Sequence, residues 1–154
     1  MKSAPKDRGK KKNRSRRTKR HFNVLFVAGF GPIVRGLPES HKFYRDALGL
    51  AFEQQGDYLH TDKLKGVKHF ALWPLAQAAR SCFGSDTWPS GVSVPQAWME
   101  FDVDHIEEAT KHLEQKGYRL LAKAKQEPWG QTVSRLLSPE GLLVAVTVTP
   151  GMRE

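Results

Sequence analysis

The sequence predicts an α+β fold of two tandem βαβββ modules, at about residues 22–74 and 95–150. Two observations carry this. The order strand, helix, three strands can be read twice, in units of roughly 55 residues. Between the two readings lies a connector, 74–95, punctuated by Pro74, Pro89, Gly91 and Pro95.

In the first unit, "FNVLFVAGF" (22–30) is a dense apolar run closed by glycine, which reads as a buried strand. "LPESHKFYRDALGL" (37–50) reads as a helix. Pro38 and Glu39 suit its first turn, and Phe43 with Ala47 and Tyr44 with Leu48 make an apolar stripe at i,i+4. Gly49 suits the position just past its end. "LAFEQ" (50–54), "DYLHT" (57–61) and "VKHFALW" (67–73) read as three strands, separated by Gly56 and Gly66. In the connector, "LAQAARSCF" (75–83) reads as a short helix. The second unit opens with the strand "QAWMEFDV" (96–103). Asp104 is the expected N-cap, with Glu107 completing a capping-box-like start. Ile106, Ala109 and Leu113 keep helical spacing, and Gly117 ends that helix. "YRLLAKA" (118–124), "QTVSRLL" (131–137) and "LLVAVTV" (142–148) complete the unit as strands.

Charge divides the chain differently. Residues 1–20 hold 11 of the 25 Lys/Arg and one of the 16 Asp/Glu, so residues 21–154 carry 14 bases and 15 acids. The net charge of +9 therefore belongs to an N-terminal tail. With no apolar run, the tail cannot offset the entropy of ordering itself and is predicted to be disordered. Its bases suit non-specific, salt-dependent association with nucleic-acid phosphates. Without interleaved aromatics it does not suit sequence-specific recognition. A chain starting at residue 21 is expected to melt within about 2 °C of the full chain; loss of cooperative unfolding would show the tail to be part of the fold. One cysteine, Cys82, excludes an intramolecular disulfide framework. No run approaches the roughly 18 apolar residues of a membrane span, and the N-terminal residues lack the apolar core of a secretory signal. The composition predicts a soluble, cytoplasmic protein with no membrane partner.

The doubled pattern, with "FYRDALGL" (43–50) in the first unit and "SPEGLLV" (138–144) in the second, resembles the vicinal oxygen chelate superfamily. That group includes glyoxalase I, bleomycin-resistance proteins and extradiol dioxygenases. The resemblance makes residues 21–154 one domain. It implies a curled mixed sheet in which the modules enclose a shared cleft. In the family's enzymes it also implies a divalent metal, held by His, Glu or Gln from the first and last strands of each module. Metal-binding members read roughly P-D-G-N-L-V-E-L at the last strand, and the Glu position falls here on Ala145. By the same resemblance the other ligand positions fall on Trp98, near Gly29, and within "KHFALW", where only His69 can ligate. An open catalytic site takes at least three protein donors. The pattern supplies His69 and, farther along the Trp98 face, Glu100, so neither a metal nor another cofactor is expected.

Strand alternation turns Met99, Phe101 and Val103 under the second helix, and Trp98 and Glu100 toward the cleft. Trp73 and Trp129, near strand ends, join Trp98 as aromatic candidates. Gln131, Arg135, Glu100 and His69 are the polar ones. Such a lining suits a small, partly aromatic molecule held by stacking. Core packing is the plainer role for any single tryptophan, and an ordinary strand hydrogen bond for His69. Trp88, beside Pro89, is expected to anchor the connector or to touch a second copy in a homodimer. Three functions are therefore in play. The first is a metal-free binding protein similar to the bleomycin-resistance group. The second is an enzyme, of glyoxalase or dioxygenase type or a metal-free lyase or isomerase, with Glu100 and His69 as its acid–base pair. The third is nucleic-acid association through residues 1–20.

Overall fold

The computed structural model describes residues 20–153; the disorder expected of the basic tail falls almost wholly outside them. Eight strands form one curled, unclosed mixed sheet. They are β1 (Val24–Val34), β2 (Glu53–Gln55), β3 (Tyr58–Thr61), β4 (Phe70–Pro74), β5 (Ala97–Val103), β6 (Ala122–Gln126), β7 (Thr132–Leu137) and β8 (Leu143–Val148). Their order is β2-β3-β4-β1-β5-β8-β7-β6, so each βαβββ unit fills one half of the sheet. The halves join where β1 runs antiparallel to β5. In each half the last strand lies parallel to the first, β4 on β1 and β8 on β5. Helix α1 (Leu37–His41), continued by a π-helical turn at Lys42–Ala47, follows β1, and α3 (Ile106–Gln115) follows β5. Helix α2 (Leu75–Phe83) occupies the connector. Among the described residues, no helix is long and apolar enough to cross a membrane.

The helical spacing of α3 has the expected result. Ala109 is fully buried, and Ile106 and Leu113 pack with it against Phe22, Val103 and Val146. Helix α2 starts directly from Pro74 and stops at Gly84, whose φ of 73° ends it in a left-handed turn. Its inward face is Ala78, Ala79, Ser81 and Cys82. These small residues let the helix lie close over Trp73, Trp88 and Trp98. Trp88 anchors the connector: its Nε1 donates to Val92 O at 3.0 Å, and Phe83 meets it edge-on at 4.9 Å.

Several local expectations are corrected. Strand β1 runs on to Val34, β2 keeps only Glu53–Gln55, and β6 begins at Ala122 rather than Tyr118. Asp104 does not cap α3. Its carboxylate instead accepts from the Asn23 backbone N–H (2.7 Å) and Nδ2 (3.0 Å), bonds that hold its pKa below the usual carboxylate value. His105 stands at the N-cap without a side-chain cap bond. The first helix is α-helical for one turn only. Leu48 N–H then bonds Phe43 O, five residues back, and this wider turn swings the apolar stripe off the sheet. Phe43 and Leu48 are 54% and 56% exposed, and of the four stripe residues Tyr44 alone packs inward, beside Phe70.

Candidate functional site

The concave face of the sheet holds a cavity of about 540 Å³, lined by His69, Trp73, Trp98, Glu100, Trp129, Gln131 and Arg135. All seven residues singled out in the sequence thus meet in one place. Strand register explains how. Phe30 pairs with Phe70 and donates its N–H to His69 O, so Gly29 lies beside His69. Gly29 pairs with Glu100, Glu100 with Ala145, and Ala145 with Arg135. A row therefore crosses the sheet in the order His69, Gly29, Glu100, Ala145, Arg135.

Ala145 is the small member that lets its neighbours meet. Across it Arg135 Nη1 donates to Glu100 Oε2 at 2.8 Å. Arg135 Nε donates to Ser81 Oγ at 2.9 Å, and the guanidinium lies 4.7 Å from the Trp73 ring centre. Arg135 is 1% exposed and stays charged, so its stability in the core depends on these partners. The other Glu100 oxygen accepts from Gln131 Nε2 (2.8 Å), and Gln131 Oε1 accepts from Trp129 Nε1 (2.8 Å). This chain of bonds runs from the cleft floor to its rim, where Trp129 is 61% exposed. Behind Arg135, Ser81 Oγ donates to the buried carboxylate of Glu127 at 2.5 Å.

Trp98 forms the floor. It pairs with Gly31, donates Nε1 to Ala71 O at 3.2 Å, and meets Trp73 nearly at right angles. A Cβ added at Gly29 would lie 3.0 Å from the Trp98 ring and 2.8 Å from His69 O. The two glycines of β1 are therefore the space in which this indole lies flat.

The other end of the row is a cluster of Tyr58, His60, Asp62 and His69. His69 Nδ1 is 2.5 Å from Asp62 Oδ1, and its Nε2 is 2.6 Å from the Tyr58 hydroxyl. Burial, with the charge of Glu100 adding to it, pushes the Tyr58 phenol well above its ordinary pKa. A protonated phenol donates to Nε2 in the tautomer whose Nδ1–H donates to Asp62. His60 stacks on Tyr58 at 5.2 Å, and its Nδ1 is buried without a hydrogen-bond partner among the described residues. Of this cluster the sequence reading finds only His69. Alternation along "DYLHTD" was the available signal, since 58, 60 and 62 share one side while Leu59 and Thr61 are buried on the other. Ser81 carried no such signal, because it reaches Arg135 only through the docking of α2.

The cross-sheet row is where a vicinal oxygen chelate enzyme would hold its metal. The residues do not fit one. Only His69 and Glu100 carry donors, and Glu100 is already bonded to a permanent cation. The register also moves by two residues: Glu100, not Trp98, shares the row with Gly29 and Ala145, while Trp98 lies opposite Gly31 and Leu143.

No curated protein matches the sequence. Similar solved structures include a glyoxalase/bleomycin resistance protein/dioxygenase superfamily member from Vibrio splendidus 12B01. It is 17% identical, over 80% of this chain and 98% of that one, with a TM-score of 0.52. A variant of Streptomyces coelicolor methylmalonyl-CoA epimerase in complex with 2-nitronate-propionyl-CoA is 13% identical, over 84% of this chain and 100% of that one, with a TM-score of 0.50. At such identities the likeness is one of fold alone. The family profile described as Glyoxalase/Bleomycin resistance protein/Dioxygenase superfamily matches residues 30–146, which run from β1 through both modules to β8. The chain belongs to that superfamily.

Proposed function

We propose that the protein binds a small, partly aromatic molecule in this cleft by stacking and hydrogen bonding, with no metal ion on the cross-sheet row. The observation that carries the reading is the Arg135–Glu100 ion pair closed over Ala145. It puts a fixed guanidinium beside the one carboxylate a metal would need. The aromatic surfaces support the same reading. Trp98 and Trp73 floor the cavity, and Trp129 stands at the rim with an exposed ring. A volume of about 540 Å³ suits a molecule of drug or metabolite size.

The test is a screen of planar antibiotics, aromatic acids and thiol conjugates by intrinsic tryptophan fluorescence. A ligand should quench wild type saturably. Losing one stacking partner costs on the order of 1 kcal/mol, so Trp129→Ala is expected to weaken binding about fivefold. Trp98→Ala should do at least as much in protein that still melts cooperatively. Unchanged affinity in both variants would place the ligand elsewhere. A second reading, a metal-free lyase or isomerase, is favoured by the Asp62–His69–Tyr58 chain, which holds an imidazole oriented at the cleft. Turnover of a bound molecule that His69→Ala or Glu100→Gln abolishes, while quenching persists, would establish it.

A further inference from the structure

We propose that His60, Asp62 and His69 form a binding site for a borderline first-row divalent cation, of the zinc(II) or iron(II) kind, on the β3–β4 hairpin. One donor atom from each residue lies within 4.8 Å of the others. The site is separate from the cross-sheet row in two of its three ligands, and all three side chains also line the cavity.

The two imidazoles are held differently. His60 Nε2 has Glu53 Oε2 only at 4.0 Å, beyond hydrogen-bond distance, whereas His69 Nε2 is bonded to the Tyr58 hydroxyl. Metal-ligating histidines are commonly oriented in this way through their second nitrogen. The candidate donors are the two Nδ1 atoms: that of His69 is bonded to Asp62, and that of His60 is buried with no hydrogen-bond partner among the described residues. A buried polar atom without a partner is costly, and a cation is a partner that removes the cost. On binding, the ion takes the place of the proton between His69 Nδ1 and Asp62. That proton passes through solvent to Nε2, from which His69 then donates to the Tyr58 oxygen, so the imidazole stays neutral and Tyr58 keeps its own proton.

The donor set selects the ion. Two imidazoles and one carboxylate favour zinc, iron or their neighbours over calcium or magnesium, and they leave coordination positions open. Zinc holds such donors at about 2.0–2.2 Å, so the group must draw in slightly. Asp62, with a side chain 67% exposed, is free to do so. His60 sits on β3 and His69 immediately before β4, and these strands pair with His60 opposite Ala71 and Thr61 opposite Phe70. All three residues line the cavity, so an ion held by them would stand at the edge of the ligand space. The inference does not rest on the stacking reading, because metal and aromatic ligand are read by different signals.

The test is titration of the chelator-treated full chain with cobalt(II), followed by visible d–d absorption. We expect a band that saturates at about one equivalent and is displaced by zinc(II), with cobalt binding weakened at least about tenfold in His60→Ala and in Asp62→Asn. His60→Asn serves if His60→Ala does not melt cooperatively. Glu100→Gln should bind cobalt within about twofold of wild type. Absence of a saturable band would overturn the proposal. So would binding that survives both His60→Ala and Asp62→Asn, which would mark an adventitious surface site. Loss in Glu100→Gln with retention in His60→Ala would put the ion on the cross-sheet row, and the stacking reading would fall with the proposal.

Discussion

Replacing Arg135 with methionine is expected to lower stability by about 3–5 kcal/mol, because it leaves the Glu100 carboxylate without its partner in a largely buried place. Arg135 is 1% exposed and the Glu100 side chain 13% exposed, so solvent screens the pair little. The loss should appear as a lower urea midpoint with an unchanged slope. Removing both charges, as Arg135→Met with Glu100→Leu, should recover most of it, since replacing a whole buried pair with apolar groups is far less costly than breaking it. If the single variant unfolds at the wild-type midpoint, Glu100 is solvated and the ion pair does not organise the cleft. The same variant should also lose ligand quenching, because the Glu100–Gln131–Trp129 chain starts from this bond.

Gly31→Ala is the second large effect. A Cβ there would stand 1.9 Å from Ala71 O and 3.1 Å from Trp98 Nε1. The nearer atom is backbone of the paired strand and cannot rotate aside. Strands β1 and β4 must separate, or Trp98 must give up its bond to Ala71 O. Overpacking of this kind costs about 3 kcal/mol or more when backbone has to move. Thermal unfolding should therefore show a large drop, or no cooperative transition. Gly91→Ala is the control, since nothing lies within 4 Å of its added Cβ. Equal melting of the two variants would show that β1 can shift freely at Gly31.

The parts of the fold that could be read from sequence are those whose signals are local. The period of α3, the turn before β8 and the alternation of β5 each sit within about ten residues, and each was found. The register is not local. Alternation places Trp98 and Glu100 on the cleft side, but the two differ by one full repeat, and only the pairing of β5 with β1 and β8 shows that Glu100 stands level with Ala145. The π-helical turn after α1 was illegible for a related reason. "FYRDALGL" has ordinary helical spacing, and its widening is seen only in the bond from Leu48 to Phe43. Ser81 belongs to neither module's pattern, yet it holds both Arg135 and Glu127. The cleft's composition was therefore legible, and its wiring was not.

The two halves of the sheet repeat in shape but not in chemistry. Beyond one end of the row stands Asp62, against His69; at the other end stands Arg135, against Glu100. A cleft made of two identical modules would accept a guest equally well in either direction. Here an imidazole–carboxylate end faces a guanidinium end, and a polar guest turned end for end would meet the wrong charge at both. Duplicated architecture thus gives the cavity its size, while the divergence of Asp62 from Arg135 gives it a direction.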